Sequence, residues 1–170
     1  EGRLRRVHAG GRGLVEARQT KNPGLFKMRN NHAGETYFVD YEYVRGTLLK
    51  AFGLYNALTH PMARAIMMHV IIAEVHPFDD GNGRMARIMM NTELVSQRQS
   101  KVIIPNVFRD DYILALKKFS HQRDISTLVQ VLDKMQQYAG RIPCGSFEEA
   151  HEYLTITNAY KEPDEARLTK

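Results

Sequence analysis

The chain has 170 residues, 43% apolar and 25% charged, a composition suited to a single globular domain that buries its own core. No run approaches the ~18 consecutive apolar residues of a membrane span, and a lone Cys144 excludes a disulfide framework and points to a reducing cytoplasm. The net charge of +5 is local: positions 1–30 carry eight basic and two acidic residues, and positions 31–170 carry sixteen against seventeen.

That distribution predicts a basic N-terminal arm or helix at residues 1–20, solvated or facing a partner, in front of a body with no basic groove. No base-reading motif accompanies it, so nucleic acid is not an expected partner. The start Glu1-Gly-Arg-Leu-Arg-Arg is followed by no apolar stretch of the kind a signal peptide needs. The absence of an initiator Met suggests a piece of a longer protein.

Asn22-Pro23-Gly24 is a turn signal that closes the arm. Two apolar runs, Leu25–Arg29 and Thr36–Val39, flank Asn30-Asn31-His32-Ala33-Gly34 and predict a β-hairpin. Asp40 is placed to cap a helix through Tyr43, Leu48, Phe52 and Leu54. His60-Pro61 opens the next helix, with proline at the first position, where its missing N–H costs nothing. Its body, Ala65–Ala73, is apolar on nearly every side, the pattern of a buried central helix. It should stop at His76-Pro77, because the residue before proline resists the α conformation. A further helix is predicted from Gly81 to about Gln99, then three at roughly 108–120, 125–139 and 147–159. The charged tail from Lys161 is expected to fray. The chain reads as mainly α with one hairpin, without repeats.

The segment His76-Pro-Phe-Asp-Asp-Gly-Asn-Gly-Arg-Met-Ala-Arg87 joins two of these helices through a loop with two glycines. Glycine lets backbone N–H groups approach a ligand with no Cβ in the way, and a helix N-terminus adds free N–H groups and a positive dipole end. Together they make an anion site, with phosphate the usual anion. Arg84 and Arg87, three apart on one face, suit a polyphosphate. Asp80, one residue before the cradle, is placed to hold Mg²⁺ among phosphate oxygens. His76 stands at the loop mouth, and neutral imidazole is the best-matched general base near pH 7. Singly, each of these residues is an ordinary turn or cap; their concentration within twelve positions sets the segment apart.

The segment resembles the signature of the Fic (filamentation induced by cAMP) family, H-P-F-x-(D/E)-G-N-G-R-x-x-R, and matches every specified position. Gly24-Leu-Phe-Lys followed by a hairpin is similar to that family's flap, and Ala63-Arg-Ala and His69 precede the motif much as in relatives. The resemblance covers about residues 20–140. It implies a Fic-type helical domain of about six to eight helices with a β-hairpin flap. The domain would span 21–140, with the flap at about 25–39 and the motif at 76–87, leaving 141–170 as a C-terminal helix and tail.

By the same resemblance, the activity is protein adenylylation: AMP moves from ATP to a Ser, Thr or Tyr hydroxyl of a target protein, and pyrophosphate leaves. His76 would take the hydroxyl proton, Asp80 would ligate Mg²⁺, and Gly81, Asn82 and Gly83 would form the anion hole. Arg84 and Arg87 would steady the outer phosphates. Phe78 and Tyr112 count among the nucleotide-binding positions, Tyr112 on the adenine side, while Ser120 stands where some relatives have Asn. The flap would hold the target by strand addition. Transfer of UMP, phosphocholine or phosphate, and a silent nucleotide-binding regulatory module, are the alternatives. The intact G-N-G cradle favours nucleotide transfer, and the intact His76 favours an enzyme. Many relatives carry an inhibitory helix, (S/T)-x-x-x-E-(G/N), whose Glu pairs with the second motif arginine. No such match occurs in these 170 residues, so that helix would lie upstream or on a separate antitoxin chain.

The remaining candidates read as structural. His69 and His76 are seven apart and lack the i,i+4 spacing of a helical zinc pair, so His69 is expected in the core. The eight methionines fit gap-filling in buried helices, and Cys144 has no adjacent base to activate it.

Overall fold

The computed structural model describes residues 24–169. The predicted basic arm and the Asn22-Pro23 step lie outside that range. Among the described residues there are two short strands, β1 (His32–Ala33) and β2 (Thr36–Tyr37), and six α-helices. The helices are α1 (Val44–Asn56), α2 (Pro61–Val75), α3 (Asn82–Ser96), α4 (Arg109–Gln122), α5 (Ser126–Ala139) and α6 (Phe147–Ile156). Single 3₁₀ turns at Tyr41–Tyr43 and Asn106–Phe108 lead into α1 and α4. No helix is long and apolar enough to cross a membrane among the described residues. The mainly helical class with a hairpin is as the sequence implies.

The chain divides into two compact units, one ending at Gln99 and the other beginning at Ser100. In the first, α2 is the central helix and packs on both α1 and α3. Its apolar circumference explains this: Ala65, Ile66, Met68, Val70, Ile71, Ile72 and Val75 are all buried. The core continues through Leu48 of α1, Phe78 of the intervening loop and Met85, Ala86 and Met89 of α3. A polar clamp closes the far side of the same helices. Arg64 Nε donates to Glu93 Oε1, Arg64 Nη1 donates to the Leu58 carbonyl, and Tyr55 donates to Glu93 Oε2.

In the second unit α4 packs on α5, burying Tyr112, Ala115, Leu128, Leu132 and Met135. Ser146 caps α6 by accepting from the Glu149 N–H at 3.1 Å.

Four local expectations change. The hairpin is shorter than predicted, because the segment at Leu25–Arg29 is not the partner of β2. Its Lys27 N–H donates to the Pro77 carbonyl at 2.9 Å, which moors it to the motif loop. The strands pair His32 with Tyr37 and Ala33 with Thr36, and Gly34 takes a turn position at φ +57° that favours glycine. Asp40 sits at the helix entry but does not cap it. Its carboxylate accepts from Asn30 Nδ2 at 2.8 Å, and Asn30 Oδ1 instead accepts from the Tyr41 N–H at 2.9 Å. The tail is tied back and not frayed: Thr169 Oγ1 donates to the Ile156 carbonyl and Asn158 Nδ2 to that of Arg167, both at 3.1 Å. The methionines divide as well. Met68, Met85, Met89, Met90 and Met135 are buried, whereas Met28 of the flap segment is 82% exposed.

Candidate active site

The loop between α2 and α3 is built by two conformations that helices rarely contain. α2 ends at His76, whose N–H closes the last turn on the Ile72 carbonyl at 3.0 Å while its backbone turns left-handed, φ +48° and ψ +57°. A non-glycine residue there costs of order 1 kcal/mol, and the following proline makes continuation of the helix worse. Gly81, at φ +78°, turns the chain again and enters α3. Between them Phe78 is fully buried and packs against Phe26, with ring centroids 5.8 Å apart. Its ring packs into the core and anchors the loop.

Asn82 completes the loop. Its Oδ1 accepts from the Phe78 N–H at 2.9 Å, and its Nδ2 donates to the Phe78 carbonyl at 2.7 Å. The side chain is thus a buried staple across the turn, and only the main chain of Asn82 is left to serve an anion. Asn82, Gly83 and Arg84 supply first-turn N–H groups that α3 itself cannot satisfy. Gly83 is exposed, and a Cβ built on it would sit 3.7 Å from Arg87 Nη1. The Arg87 guanidinium therefore folds back beside the first turn of its own helix. Arg84 is half-buried on that turn.

His76 Nδ1 lies 3.1 Å from the Ala73 carbonyl, so this nitrogen carries the proton and Nε2 keeps the lone pair. Burial pushes the imidazole below its ordinary range; the Ala73 carbonyl and Asp80 pull it up, and the Lys27 ammonium pushes it down. The balance favours a neutral ring. Asp80 Oδ1 accepts from the Gly81 N–H at 2.7 Å, which orients the carboxylate at the mouth of α3. No group of three or more metal-ligating side chains occurs among the described residues. The Asp80 carboxylate is a hard oxygen donor of the kind Mg²⁺ takes beside waters and phosphate oxygens.

Three residues that the motif does not include hold this loop. Lys27 is buried at 2% exposure, with Nζ donating to Asn31 Oδ1 at 2.6 Å and to the Val75 carbonyl at 3.5 Å. Burial lowers its pKa, against the pull of Asp40 and Asp79. Asn31 in turn donates from Nδ2 to the Phe78 carbonyl at 3.1 Å. Phe38, one residue beyond β2, stacks on His76 with centroids 3.6 Å apart and planes 6° from parallel. The only sequence signal for them was their place in the flap.

Among the other predicted positions, His69 is a core residue as expected, 0% exposed. Burial and the Arg87 charge push its pKa down to about 4. Tyr112 lies on α4 in the second unit, 3% exposed. Cys144 is free and exposed.

Known proteins share the family and the fold of this chain. The Fic/DOC family model matches residues 5–94. The protein adenylyltransferase Fic of Drosophila willistoni is 37% identical over 78 residues, 46% of this chain and 16% of that protein. The chain therefore spans only a small part of the curated relatives it matches. Among solved structures, residues 134–508 of Fic-1 from C. elegans superpose with a TM-score of 0.69 at 22% identity, covering 92% of this chain and 43% of that one. A Fic domain-containing signalling protein from Bacteroides thetaiotaomicron gives 0.68 at 20% identity, over 81% and 59%. With a specific motif built on this loop and a family model that spans more than half of its residues, the chain belongs to the Fic/DOC family.

Proposed function

We propose that the protein transfers AMP from ATP to a hydroxyl side chain of a target protein, with His76 as the general base. One observation carries the reading: His76 Nδ1 is committed to the Ala73 carbonyl, which leaves a neutral, basic Nε2 at the mouth of a helix N-terminus suited to anions. The complete motif of this chain and the name protein adenylyltransferase borne by the curated matches support it.

In this mechanism the α3 first turn, through the N–H groups of Asn82 and Gly83, receives phosphate oxygens and stabilises the charge that develops on them. Arg84 and Arg87 neutralise the outer phosphates, and Asp80 would hold Mg²⁺. When bound, that ion would offset the negative charge of the phosphates. Nε2 of His76 takes the proton of the attacking hydroxyl as its oxygen bonds to the α-phosphorus. The bond to the β-phosphate oxygen breaks, and pyrophosphate leaves. A hydroxyl of a target segment paired to the flap would be held in reach of both. A single exposed cysteine suits a reducing, cytoplasmic setting.

Replacing His76 by Ala should reduce AMP transfer by about 10²–10⁴-fold while Mg·ATP affinity stays within a few-fold. The test is labelling of lysate proteins and of the chain itself from α-labelled ATP, with mass spectrometry of the modified peptides and isothermal titration beside it. Labelling by the variant at the wild-type rate would sink the base assignment. A label identified as UMP or phosphate on the peptides would move the reading to another transferred group.

A further inference from the structure

We propose that Phe38 is a positioning residue that sets the ring plane of His76, so that the flap orients the base. The inference rests on His76 acting as the base. It starts from a gap in the hydrogen bonding of that residue. The Nδ1 contact to Ala73, a single hydrogen bond, restrains the imidazole at one corner and still tolerates tilting of its plane. The Phe38 ring, parallel to within 6° at 3.6 Å, removes this freedom. A face-to-face stack covers a face of the imidazole and not its edge, so Phe38 can fix the plane without covering Nε2.

Phe38 can do this only if it is itself fixed relative to His76, and the contacts provide a short path. Its N–H donates to the Asn31 carbonyl at 3.4 Å. The Asn31 side chain donates to the Phe78 carbonyl and accepts from Lys27 Nζ. The Lys27 N–H donates to the Pro77 carbonyl. The flap is thus moored to the two residues that follow His76, and stack and base share one frame. Because Phe38 directly follows β2, a target segment added to this hairpin would engage the same element that aims the base.

The test uses the 170-residue chain with Phe38→Leu, which keeps an apolar side chain of similar bulk, and Phe38→Tyr, which keeps the aromatic face. Phe38 is half-buried outside the helical core, so both variants should fold. In NMR spectra the His76 ring protons should lie upfield in the wild type and in Phe38→Tyr, and should return toward ordinary positions in Phe38→Leu. AMP labelling should fall roughly 10- to 100-fold in Phe38→Leu and be restored in Phe38→Tyr, with Mg·ATP affinity unchanged by titration. His76 shifts that ignore Phe38→Leu would overturn the inference, as would equal losses in both variants. A gain of labelling in Phe38→Leu would also overturn it, because the ring would then be shielding the base. Labelling that survives His76→Ala would remove the base assignment and this inference together. An inactive His76→Ala beside a fully active Phe38→Leu would remove this inference alone.

Discussion

At the scale of single residues the site is legible in unequal degrees. His76, Asp80 and the glycines follow from residue type and spacing, since a left-handed or Cβ-free backbone and an imidazole beside it are local properties. Phe78 and Asn82 sit within the same motif, yet their side chains serve the loop: one fills the core and the other staples the turn. Spacing alone cannot separate a ligand from a brace, because both roles require the same residue at the same position. His69 shows what burial adds. With a pKa near 4 in the folded state and about 6.5 unfolded, the unfolded chain takes up the proton first as the pH falls. A group whose folded pKa is depressed in this way costs stability on acidification, in the window between 6.5 and 4. Urea unfolding at pH 7 and pH 5 should differ by about 2 kcal/mol from this residue, and the lowered pKa of His76 pushes the same way. His69→Gln should shrink that difference. An undiminished pH dependence in the variant would show that His69 is not held neutral by its surroundings.

At the scale of elements, helices came out of the sequence well and the flap did not. α2 is apolar around its circumference and bounded by two prolines, so both its extent and its central place follow from local chemistry. The flap segment has alternating apolar residues that suit a strand, but its Lys27 main chain is already engaged by Pro77, fifty residues on. Such a long-range partner leaves no trace in local periodicity. The first turn of α3 offers the clearest element-level experiment. Gly83 has an ordinary helical backbone, and the nearest atom to an added Cβ is Arg87 Nη1 at 3.7 Å, an ordinary van der Waals distance. Gly83→Ala should therefore leave stability unchanged or raise it by up to about 1 kcal/mol through helix propensity. If a phosphate approaches that main chain closely, the same methyl group blocks it, and Mg·ATP affinity should fall at least 10-fold. Thermal melting and isothermal titration separate the two effects. A variant that melts as high as wild type and binds equally well would mean that the anion does not approach Gly83.

At the scale of the whole molecule, net charge misleads until it is divided by position. A net +5 suggests a polyanion partner until it is divided by position, and then residues 31–170 are close to balance. The proposed nucleotide site does not need the excess, because its positive character comes from Arg84, Arg87 and a helix terminus. The two roles should therefore separate cleanly. Replacing Arg3, Arg5 and Arg6 together with Gln removes three of the eight basic residues of positions 1–30. Nonspecific attraction to a polyanion scales with the number of phosphates neutralised, with a slope of about −0.9 per contact in log–log salt dependence on duplex DNA. Retention on heparin should weaken in the variant, and any residual affinity for duplex DNA should vanish at ~0.2 M salt. Mg·ATP affinity should not change, since the arginines of the cradle are untouched. Heparin retention that persists unchanged would place the basic surface on the body of the protein, and a parallel loss of ATP affinity would tie the arm to the motif loop.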